Sequence, residues 1–456
     1  MRLLIECTYV YDHPQDNSGI QRVVRNIISC LDAFDGEVEC IPVMMHDQAL
    51  YKVLSLEPLP LGRIKSIRQR MIVFLEHLRN RYWWWHSRLE KISLFSRVLL
   101  ARRLLYWPCK IFSFFFTLPL QVLYWLNRKD KPAPQRAVEF SAKQGDQLLL
   151  LDSSWHADFF VLAESLKSQG IGLIAVIYDL IPLTHPEFCD AGLVKVFDRW
   201  FDWVSKTADG FVTISQTINE QVSKELERRL GSFEASKRWC THFYLGSELD
   251  LKKPAAVLHR GVRRLFEGDA HVYLMVSTIE PRKNHDYLLD AFELLWAKGI
   301  DVKLSIVGKV GWKCDALVDR IKQHVEYNRR LFMFNKVNDK TLEFAYEKSR
   351  ALVFPSYAEG FGLPIVEAME RRLPVMVSDI SVFREIGRDF VVYFDLKDPL
   401  SLCEKIETYE RENIFPAERN IDEWEWIDWE KATEQLINGV LQGIRSTARQ
   451  ANAHIA

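Results

Sequence analysis

The chain has 456 residues, of which 48 % are apolar and 27 % are charged, and its formal net charge is −1. This length and composition predict a globular protein of about two or three domains whose cores need no covalent staples. The eight cysteines are scattered without a C-x-x-C pair, which argues against a disulfide framework or a structural zinc and favours a reducing compartment. The start, MRLLIECTYVY, lacks the regions of a signal peptide, so we expect a cytoplasmic protein.

The first predicted elements follow the pattern of an α/β domain. The strand in MRLLIEC leads to a turn at Ser18-Gly19, a helix over Ile20–Leu31 and a strand over Val38–Met44. After an interruption the pattern resumes with the strands QLLLLDSS, GLIAVIYDL and GFVTIS and with helices between them. Continuous apolar strands separated by helices are typical of a parallel sheet that is covered on both faces.

Residues 52–135 form the interruption. Between Leu61 and Ala133 there are 15 Lys or Arg residues against 3 Asp or Glu, together with five of the fourteen tryptophans. A single membrane crossing would put strands of one sheet on opposite sides of the bilayer. We therefore expect a re-entrant or in-plane element that contacts an anionic membrane surface through residues 61–133. An oligomer contact or a buried helical insertion is the alternative, and apolar residues between the charges disfavour nucleic acid.

A second series of elements follows the charged stretch Arg228–Asp269, for which we predict an irregular passage between two halves. Its strands are HVYLMVST, VKLSIVG, LFMFN, ALVFPS, PVMVS and VVYFD. Two doubly wound sheets in one chain place a ligand cleft at the carboxyl ends of their strands.

Two glutamates flank a glycine-rich turn in FPSYAEGFGLPIVEAME. Glu359 follows a predicted strand, and Glu367 is expected about one turn into the next helix. Gly360 and Gly362 permit a tight turn that approaches a ligand closely. The amides expected to point toward the cleft are those of Phe361, Gly362 and Leu363. Two such carboxylates fit a catalytic acid and base, a clamp for hydroxyl groups, or merely two solvated surface charges.

The stretch EGFGLPIVEAM, with its E-x7-E spacing, resembles the retaining glycosyltransferases of family four, which have the GT-B fold. Other stretches that resemble this family are GIQRVVRNI, YDLIPLTHPEF, STIEPRKNHDYLLDAF, VGKVGW and PVMVSDISVFREI. The similarity is strong over residues 270–400 and scattered over residues 1–250, and the block over 52–135 lies outside it.

The resemblance implies an α/β protein with two Rossmann-like, doubly wound domains that face a cleft. The acceptor-side domain would span residues 1–245, including a helical, aromatic and basic insertion over 52–135. The nucleotide-sugar-binding domain would span residues 246–415. Residues 416–456 would form a helix that crosses back to the first domain, and a tail.

The resemblance also implies roles at the donor site. Glu367 would accept hydrogen bonds from the ribose hydroxyls of a nucleotide, and Glu359 would hold hydroxyl groups of the donor sugar. Arg282 and Lys283 would neutralise the diphosphate, and Gly19 would let the N-terminal half approach the same phosphates. The turn residues that would share the sugar contact are Gly360, Phe361, Gly362 and Leu363.

Three positions depart from the family's pattern. Thr278 stands where an arginine is usual, so we expect the diphosphate contact to shift to Arg282. Ser18 stands where the first loop often has a glycine. Tyr178 stands where the family often has a histidine near the reacting carbon, and Asp179 after it would orient the acceptor loop.

The resemblance implies a retaining hexosyltransferase that needs neither a metal nor another cofactor, and the chain has no Asp-x-Asp motif. We expect it to move mannose or a deoxyhexose from a GDP-sugar to a lipid-linked or oligosaccharide acceptor in bacterial surface polysaccharide synthesis. It would associate peripherally with the inner face of the cytoplasmic membrane, without a nucleic-acid partner. The alternatives are a phosphorylase or nucleotide-sugar hydrolase on the same fold, and a non-catalytic membrane-bound partner subunit.

Overall fold

The computed structural model describes residues 1–14, 19–34, 36, 38–57, 63–90, 106, 110, 114–126, 135–155, 157–248, 257–335 and 337–453. Met1–Val53 and Glu139–Ala456 form one compact unit, and Leu54–Val138 form a second, smaller unit. Both predicted α/β series lie in the larger unit.

The N-terminal half of the larger unit is built on an eight-stranded sheet. Its strands are β1 (Arg2–Glu6), β2 (Glu39–His46), β3 (Ala49–Val53), β4 (Ala137–Phe140), β5 (Gln147–Leu150), β6 (Gly172–Ile177), β7 (Gly210–Thr213) and β8 (Trp239–His242). They lie in the order β4-β3-β2-β1-β5-β6-β7-β8. The strands from β2 through β1 and β5 to β8 pair in parallel, whereas β2 and β3 form an antiparallel pair.

Helices lie between the strands in the chain, and some of them begin at a side-chain cap. In chain order they are α1 (Thr8–Asp12), α2 (Gly19–Cys30), α3 (Arg63–Glu90), α4 (114–126), α5 (Ala157–Ser168), α6 (Ile181–Thr184), α7 (Ala191–Thr207), α8 (Gln216–Leu230) and α9 (Ser232–Ala235). At the start of α8, for example, the Ser215 side chain accepts a hydrogen bond from the backbone N–H of Ile218. Helices α3 and α4 belong to the smaller unit.

The C-terminal half is built on a six-stranded, parallel sheet in the order β11-β10-β9-β12-β13-β14. Its strands are β9 (His271–Val276), β10 (Val302–Val307), β11 (Leu331–Phe334), β12 (Ala351–Phe354), β13 (Val375–Ser378) and β14 (Val392–Phe394). Its helices are α10 (Arg260–Leu265), α11 (His285–Ala297), α12 (Asp315–Gln323), α13 (Asp339–Lys348), α14 (Leu363–Glu370), α15 (Ser381–Gly387), α16 (Pro399–Glu412) and α17 (Trp429–Ala453).

The last helix, α17, returns to the N-terminal half. Gly439 and Gly443 of this helix face Thr241 and Trp239 of β8, and a Cβ atom on Gly443 would lie 2.3 Å from the Trp239 ring. The helix therefore packs against the outermost parallel strand of the first sheet at a distance that only glycine permits. The predicted boundaries 1–245, 246–415 and 416–456 stay a prediction.

The prediction of an irregular passage over 228–269 is wrong in part. This stretch contains the end of α8, the short helices α9 and α10, and the strand β8. The four residues of β8 are too few to show a strand pattern in the sequence. Pairing with β7 and cover from α17 create this strand, so it depends on tertiary contacts.

The smaller unit has a small apolar cluster where α4 packs on α3. Ile72, Leu120 and Leu123 are buried there, and Leu75 packs against them. None of the helices among the described residues is both long enough and apolar enough to cross a bilayer. Of the five tryptophans between Leu61 and Ala133, Trp107 and the side chains of Trp83–Trp85 lie outside the described part of the structure.

Candidate functional site

The turns after β9 and β12 lie side by side at the switch point of the C-terminal sheet. From β9 the chain winds outward to β11, and from β12 it winds in the other direction to β14. The turn after β9 contains the 3-10 segment Pro281–Lys283, and the backbone N–H of Tyr357 donates to the Arg282 carbonyl at 2.9 Å. Ligands bind at this edge in open α/β sheets, because the diverging helices leave a crevice there.

Glu359 forms ion pairs with both predicted cations at this crevice. Its Oε2 lies 2.7 Å from Nη1 of Arg282, and its Oε1 pairs with Nζ of Lys283. Arg282 is held in addition by Glu280, whose Oε1 lies 2.6 Å from Nε, and by the Ala358 carbonyl at 3.0 Å. Glu280 and Lys283 are only 2 % and 7 % exposed, so these charges compensate one another away from bulk water.

Burial and charge act in opposite directions on the pKa values of this cluster. Burial alone would raise the pKa of Glu359, but Arg282 and Lys283 lower it to about 2. Burial, followed by the charge of Arg282, lowers the pKa of Lys283. Burial raises the pKa of Glu280. Glu359 is thus a carboxylate at neutral pH, so it accepts hydrogen bonds but has no proton to donate as a general acid.

The glycine turn joins the C-terminal half to the N-terminal half. A Cβ atom on Gly360 would lie 2.0 Å from the Tyr178 carbonyl oxygen, and the Gly360 carbonyl accepts a hydrogen bond from the Ser215 hydroxyl at 2.9 Å. Gly362 has φ +106°, a left-handed value that glycine adopts without strain, and it caps α14. Only glycine at 360 therefore lets the turn approach the first domain this closely.

The other two residues of the turn have different surroundings. Phe361 is buried, with its ring centroid 6.1 Å from that of Trp426 and 6.4 Å from that of Tyr244. Leu363 is the first residue of α14 and is half-buried. The Phe361 ring thus anchors the turn on the aromatic side chains around the C-terminal crossing.

Glu367 lies one turn into α14 and is 2 % exposed. Its Oε2 accepts a hydrogen bond from the Tyr346 hydroxyl at 2.7 Å, and its Oε1 forms an ion pair with Nη1 of Arg22 on α2. Glu367 and Glu359 therefore belong to separate networks, and they do not form a facing acid–base pair in which one carboxyl perturbs the other.

Tyr178 and Asp179 follow β6 on the N-terminal side of the crevice. The Tyr178 hydroxyl donates to the Leu151 carbonyl at 2.7 Å, so this side chain is directed at the sheet. Asp179 accepts a hydrogen bond from the backbone N–H of Ile181 at 3.0 Å, and burial raises the pKa of its carboxyl while Arg282 lowers it. Asp179 thus faces the cation cluster, whereas Tyr178 contributes its carbonyl to the contact with the glycine turn.

Gly19 and Thr278 are the remaining predicted residues that the structure describes. Gly19 is the first residue of α2, and a Cβ atom there would meet no atom within 4 Å. Ser18 lies outside the described residues. Thr278 is exposed after β9 and does not join the ion pairs of the cluster.

Sequence reasoning missed three residues that hold the predicted ones. Glu280 binds Arg282, Arg22 binds Glu367, and Tyr346 binds the same carboxylate. Arg22 and Glu280 were within the quoted stretches GIQRVVRNI and STIEPRKNHDYLLDAF, so polar residues beside the matched motifs were the available signal. Tyr346 on α13 had no signal in its own segment.

Three further side chains link the halves around the crevice. Nζ of Lys313 lies 2.6 Å from the Cys189 carbonyl, and Nε1 of Trp312 donates to the Phe188 carbonyl at 2.8 Å. The Glu385 carboxylate accepts from the backbone N–H groups of Gln216 and Thr217 at 2.7 and 2.8 Å, at the N-terminus of α8. Groups of three or more His, Cys, Asp or Glu side chains suited to a metal ion are absent from the described residues.

Comparisons with known proteins show which families and folds this chain is similar to. Residues 262–423 match the model of the family described as glycosyl transferases group 1. The serotype-specific mannosyltransferase WbdA of Escherichia coli is 32 % identical over 303 residues, which are 65 % of this chain and 37 % of that protein. The O-antigen chain mannosyltransferase B of Escherichia coli is 26 % identical over 294 residues, which are 63 % of this chain and 74 % of that protein. The chain thus spans well under half the length of WbdA.

Two solved structures share the fold across almost the whole chain. Anabaena HepE, solved in complex with UDP and glucose, has a TM-score of 0.54 at 13 % identity and covers 96 % of this chain and 99 % of its own. Sucrose-phosphate synthase from Thermosynechococcus elongatus has a TM-score of 0.51 at 16 % identity, with 100 % of both chains covered. The predicted GT-B fold is confirmed, and the chain is a GT-B protein similar to O-antigen mannosyltransferases.

Proposed function

We propose that this chain is a retaining, metal-independent hexosyltransferase that elongates or initiates a bacterial surface polysaccharide. The donor is a nucleoside diphosphate sugar, with mannose or a deoxyhexose on GDP as the first choice. The acceptor is a lipid-linked or oligosaccharide glycan. The observation that carries the proposal is the cluster of Arg282, Lys283 and Glu359 at the switch point of the C-terminal sheet, directly opposite Asp179 of the N-terminal half.

The charges of this cluster suit the departure of a diphosphate. As the glycosidic bond to the donor breaks, negative charge grows on the leaving phosphate, and cations fixed in a water-poor crevice stabilise it without reorganising. Arg282 and Lys283 are such cations, and Glu359 holds both of them in place. When the phosphate forms ion pairs with these cations, the Glu359 carboxylate is free to accept hydrogen bonds from sugar hydroxyls.

The relatives support the choice of substrates. WbdA is named a serotype-specific mannosyltransferase, and the second relative is named an O-antigen chain mannosyltransferase. A further relative, RfbU of Salmonella typhimurium, is also named an O-antigen chain mannosyltransferase. We transfer mannose and the polysaccharide acceptor to this chain on that similarity.

A donor panel tests the proposal. The full chain would be incubated with membrane extract and GDP-mannose, a GDP-deoxyhexose, UDP-glucose or UDP-N-acetylglucosamine, and sugar transfer would be measured. We expect transfer from one donor and a loss of about 100-fold in Glu359→Ala, because the two cations lose their common partner. Glu347→Ala, an exposed carboxylate on α13, is the matched control.

Each alternative function has its own outcome in this assay. A phosphorylase would release the sugar phosphate only with inorganic phosphate, and a hydrolase would release free sugar without acceptor. A non-catalytic partner subunit would show no turnover with any donor. Undiminished transfer by Glu359→Ala would contradict the assignment of the site.

We also propose that the smaller unit lies on the cytoplasmic membrane surface. One face of α4 is buried against α3 through Leu120 and Leu123. The opposite face exposes apolar side chains at i, i+4, i+8 and i+11, namely Phe114, Leu118, Val122 and Trp125, with Phe115 beside them. An exposed apolar stripe of this kind is typical of a helix that lies in the plane of a membrane interface. The described basic residues of α3 include Arg68, Arg70, Arg79 and Arg81.

Vesicle binding tests the membrane proposal. We expect the full chain to sediment with vesicles that contain phosphatidylglycerol and less with pure phosphatidylcholine, since anionic lipid attracts the basic segment. Phe115→Ser combined with Trp125→Ser should weaken this binding at least fivefold, because two interfacial aromatic side chains are removed. Phe233→Ser, an exposed phenylalanine of the larger unit, is the control. Equal binding of both variants would reject the role of α4.

A further inference from the structure

Arg22 is the residue through which the N-terminal half reaches the predicted ribose site. It lies on α2, three residues after Gly19, and its guanidinium forms an ion pair with Oε1 of Glu367. The pair is largely shielded from water, since the two side chains are 16 % and 3 % exposed. Together with the hydrogen bond from Tyr346 to Oε2, it provides both oxygens of Glu367 with a donor from the protein.

A ribose that binds to Glu367 needs at least one of these oxygens. Two neighbouring hydroxyl groups donate most favourably to the two oxygens of one carboxylate, and Oε1 is already engaged by Arg22. A hydrogen bond between charged groups is roughly twice as strong as a neutral one, so the hydroxyl does not displace the guanidinium without cost.

Of the two protein donors, Arg22 is the one that can leave. Tyr346 belongs to the same half as Glu367, and its ring is fully buried. Arg22 has a long side chain, and it comes from the opposite half, so opening of the crevice separates it from Glu367. An arginine at this place is therefore a reversible substitute for the ribose.

We propose that Arg22 competes with the nucleotide ribose for Glu367. This inference rests on the proposed function, which assigns ribose binding to Glu367. Between turnovers Arg22 neutralises the buried carboxylate and joins the two halves. After transfer it returns to Glu367, displaces the ribose of the nucleoside diphosphate product and speeds product release. Arg22 is thus a residue that sets the affinity for the nucleotide portion of the donor.

The opposite role is a phosphate contact, since Arg22 lies one helical turn from Gly19. The two roles predict opposite changes in nucleotide affinity when Arg22 is replaced. Removal of a phosphate contact weakens the binding of a nucleoside diphosphate, whereas removal of a competitor strengthens it.

Calorimetric titration of the full chain with GDP and with UDP distinguishes these roles. We expect Arg22→Gln to lower the Kd of the nucleotide that binds the wild type by about tenfold, since one charge-assisted hydrogen bond no longer competes. The 2′,3′-dideoxy form of the same nucleotide should bind wild type and Arg22→Gln equally, because it has no hydroxyl for Glu367. Arg25→Gln, three residues further along α2, is the matched control and should leave Kd unchanged.

The remaining variants separate failure of this inference from failure of the proposed function. Arg22→Lys retains the charge with fewer donors and should give a smaller decrease in Kd, which keeps the test valid if Arg22→Gln folds poorly. If the wild type binds a nucleotide and Glu367→Gln weakens it, but neither Arg22 variant tightens it, the competition is rejected and the donor site stands. If neither nucleotide binds the wild type, the proposed function and this inference are rejected together.

Discussion

The switch points of the two sheets have the same topology and opposite chemistry. Between β9 and β12, the carboxylate of Glu359 lies between Arg282 and Lys283. Between β1 and β5, Glu6 at the end of β1 lies beside Asp152 after β5, and both are almost fully buried. Oε2 of Glu6 accepts a hydrogen bond from the backbone N–H of Asp152 at 3.1 Å.

The difference appears directly in the pKa values. Burial and then the charge of Asp152 raise the pKa of Glu6 to about 7, whereas the two cations lower the pKa of Glu359 to about 2. Backbone N–H groups of Thr8 and Val10 hydrogen-bond to the acidic pair, which is much weaker compensation than an ion pair. One fold thus provides one switch point where two cations pair with carboxylates and, in the other sheet, one where two acidic side chains lie together.

The largest effect on transfer is expected when a cation is removed from the C-terminal switch point. We expect Lys283→Met to lower transfer from the nucleotide sugar by about 100-fold or more, because one of the two cations that stabilise the leaving phosphate is lost. Steady-state transfer rates measure this. Lys298→Met, at the other end of α11 in an exposed ion pair with Glu407, is the control and should keep wild-type transfer. Equal losses in both variants would mean that Lys283 acts only through stability.

The second prediction concerns the pH dependence of stability at the acidic switch point. The folded chain holds the Glu6 proton up to about pH 7, whereas the ordinary value is 4.5, so the folded state binds more protons between these values. The contribution of Glu6 to stability is therefore fully present below its ordinary pKa and is lost as the pH rises toward 7. The loss attributable to Glu6 is on the order of 3 kcal/mol.

Denaturation of wild type and Glu6→Gln across this pH range measures that loss. We expect the difference in the free energy of unfolding, wild type minus variant, to fall as the pH rises. Asp152→Asn should reduce the slope as well, since the charge of Asp152 contributes to the raised pKa of Glu6. Parallel curves for wild type and Glu6→Gln would contradict the buried acidic pair.

The third prediction tests the close contact between the glycine turn of the C-terminal half and Tyr178 of the N-terminal half. In Gly360→Ala the new methyl group would lie 2.0 Å from the Tyr178 carbonyl oxygen, so the halves must shift apart. Overpacking of this kind costs about 1–3 kcal/mol, and we expect a lower Tm together with slower transfer. Thermal denaturation and transfer assays measure both. A variant with unchanged Tm and transfer would show that the close approach is dispensable.

The smallest effect is expected at the start of α2. A Cβ atom on Gly19 meets nothing within 4 Å, so Gly19→Ala should change the free energy of unfolding by less than about 1 kcal/mol. If the backbone at this position approaches the diphosphate, as we predict, the KM for the donor should rise while Tm stays constant. Unchanged KM would remove Gly19 from the donor site.

The sequence was sufficient for the fold and for naming most of the side chains that meet at the C-terminal switch point. The apolar strands of both series and the helices between them predicted two parallel sheets, because strands buried on both faces have continuous apolar runs. Arg282, Lys283 and Glu359 were expected near one another because the family resemblance assigns all three to one donor site. The sequence was insufficient to predict β8, because its four residues form a strand only when they pair with β7 and pack against α17.

The partners of the predicted residues were decided by the tertiary structure. Arg22 and Glu367 are 345 residues apart in the chain, and no local pattern relates them. The same is true of Glu6 and Asp152, whose raised pKa values arise from burial in one sheet. Residue type and periodicity determine which segments form strands and which turns carry charge. The pairing of charged side chains depends on distances and burial, and these exist only after the two sheets have packed.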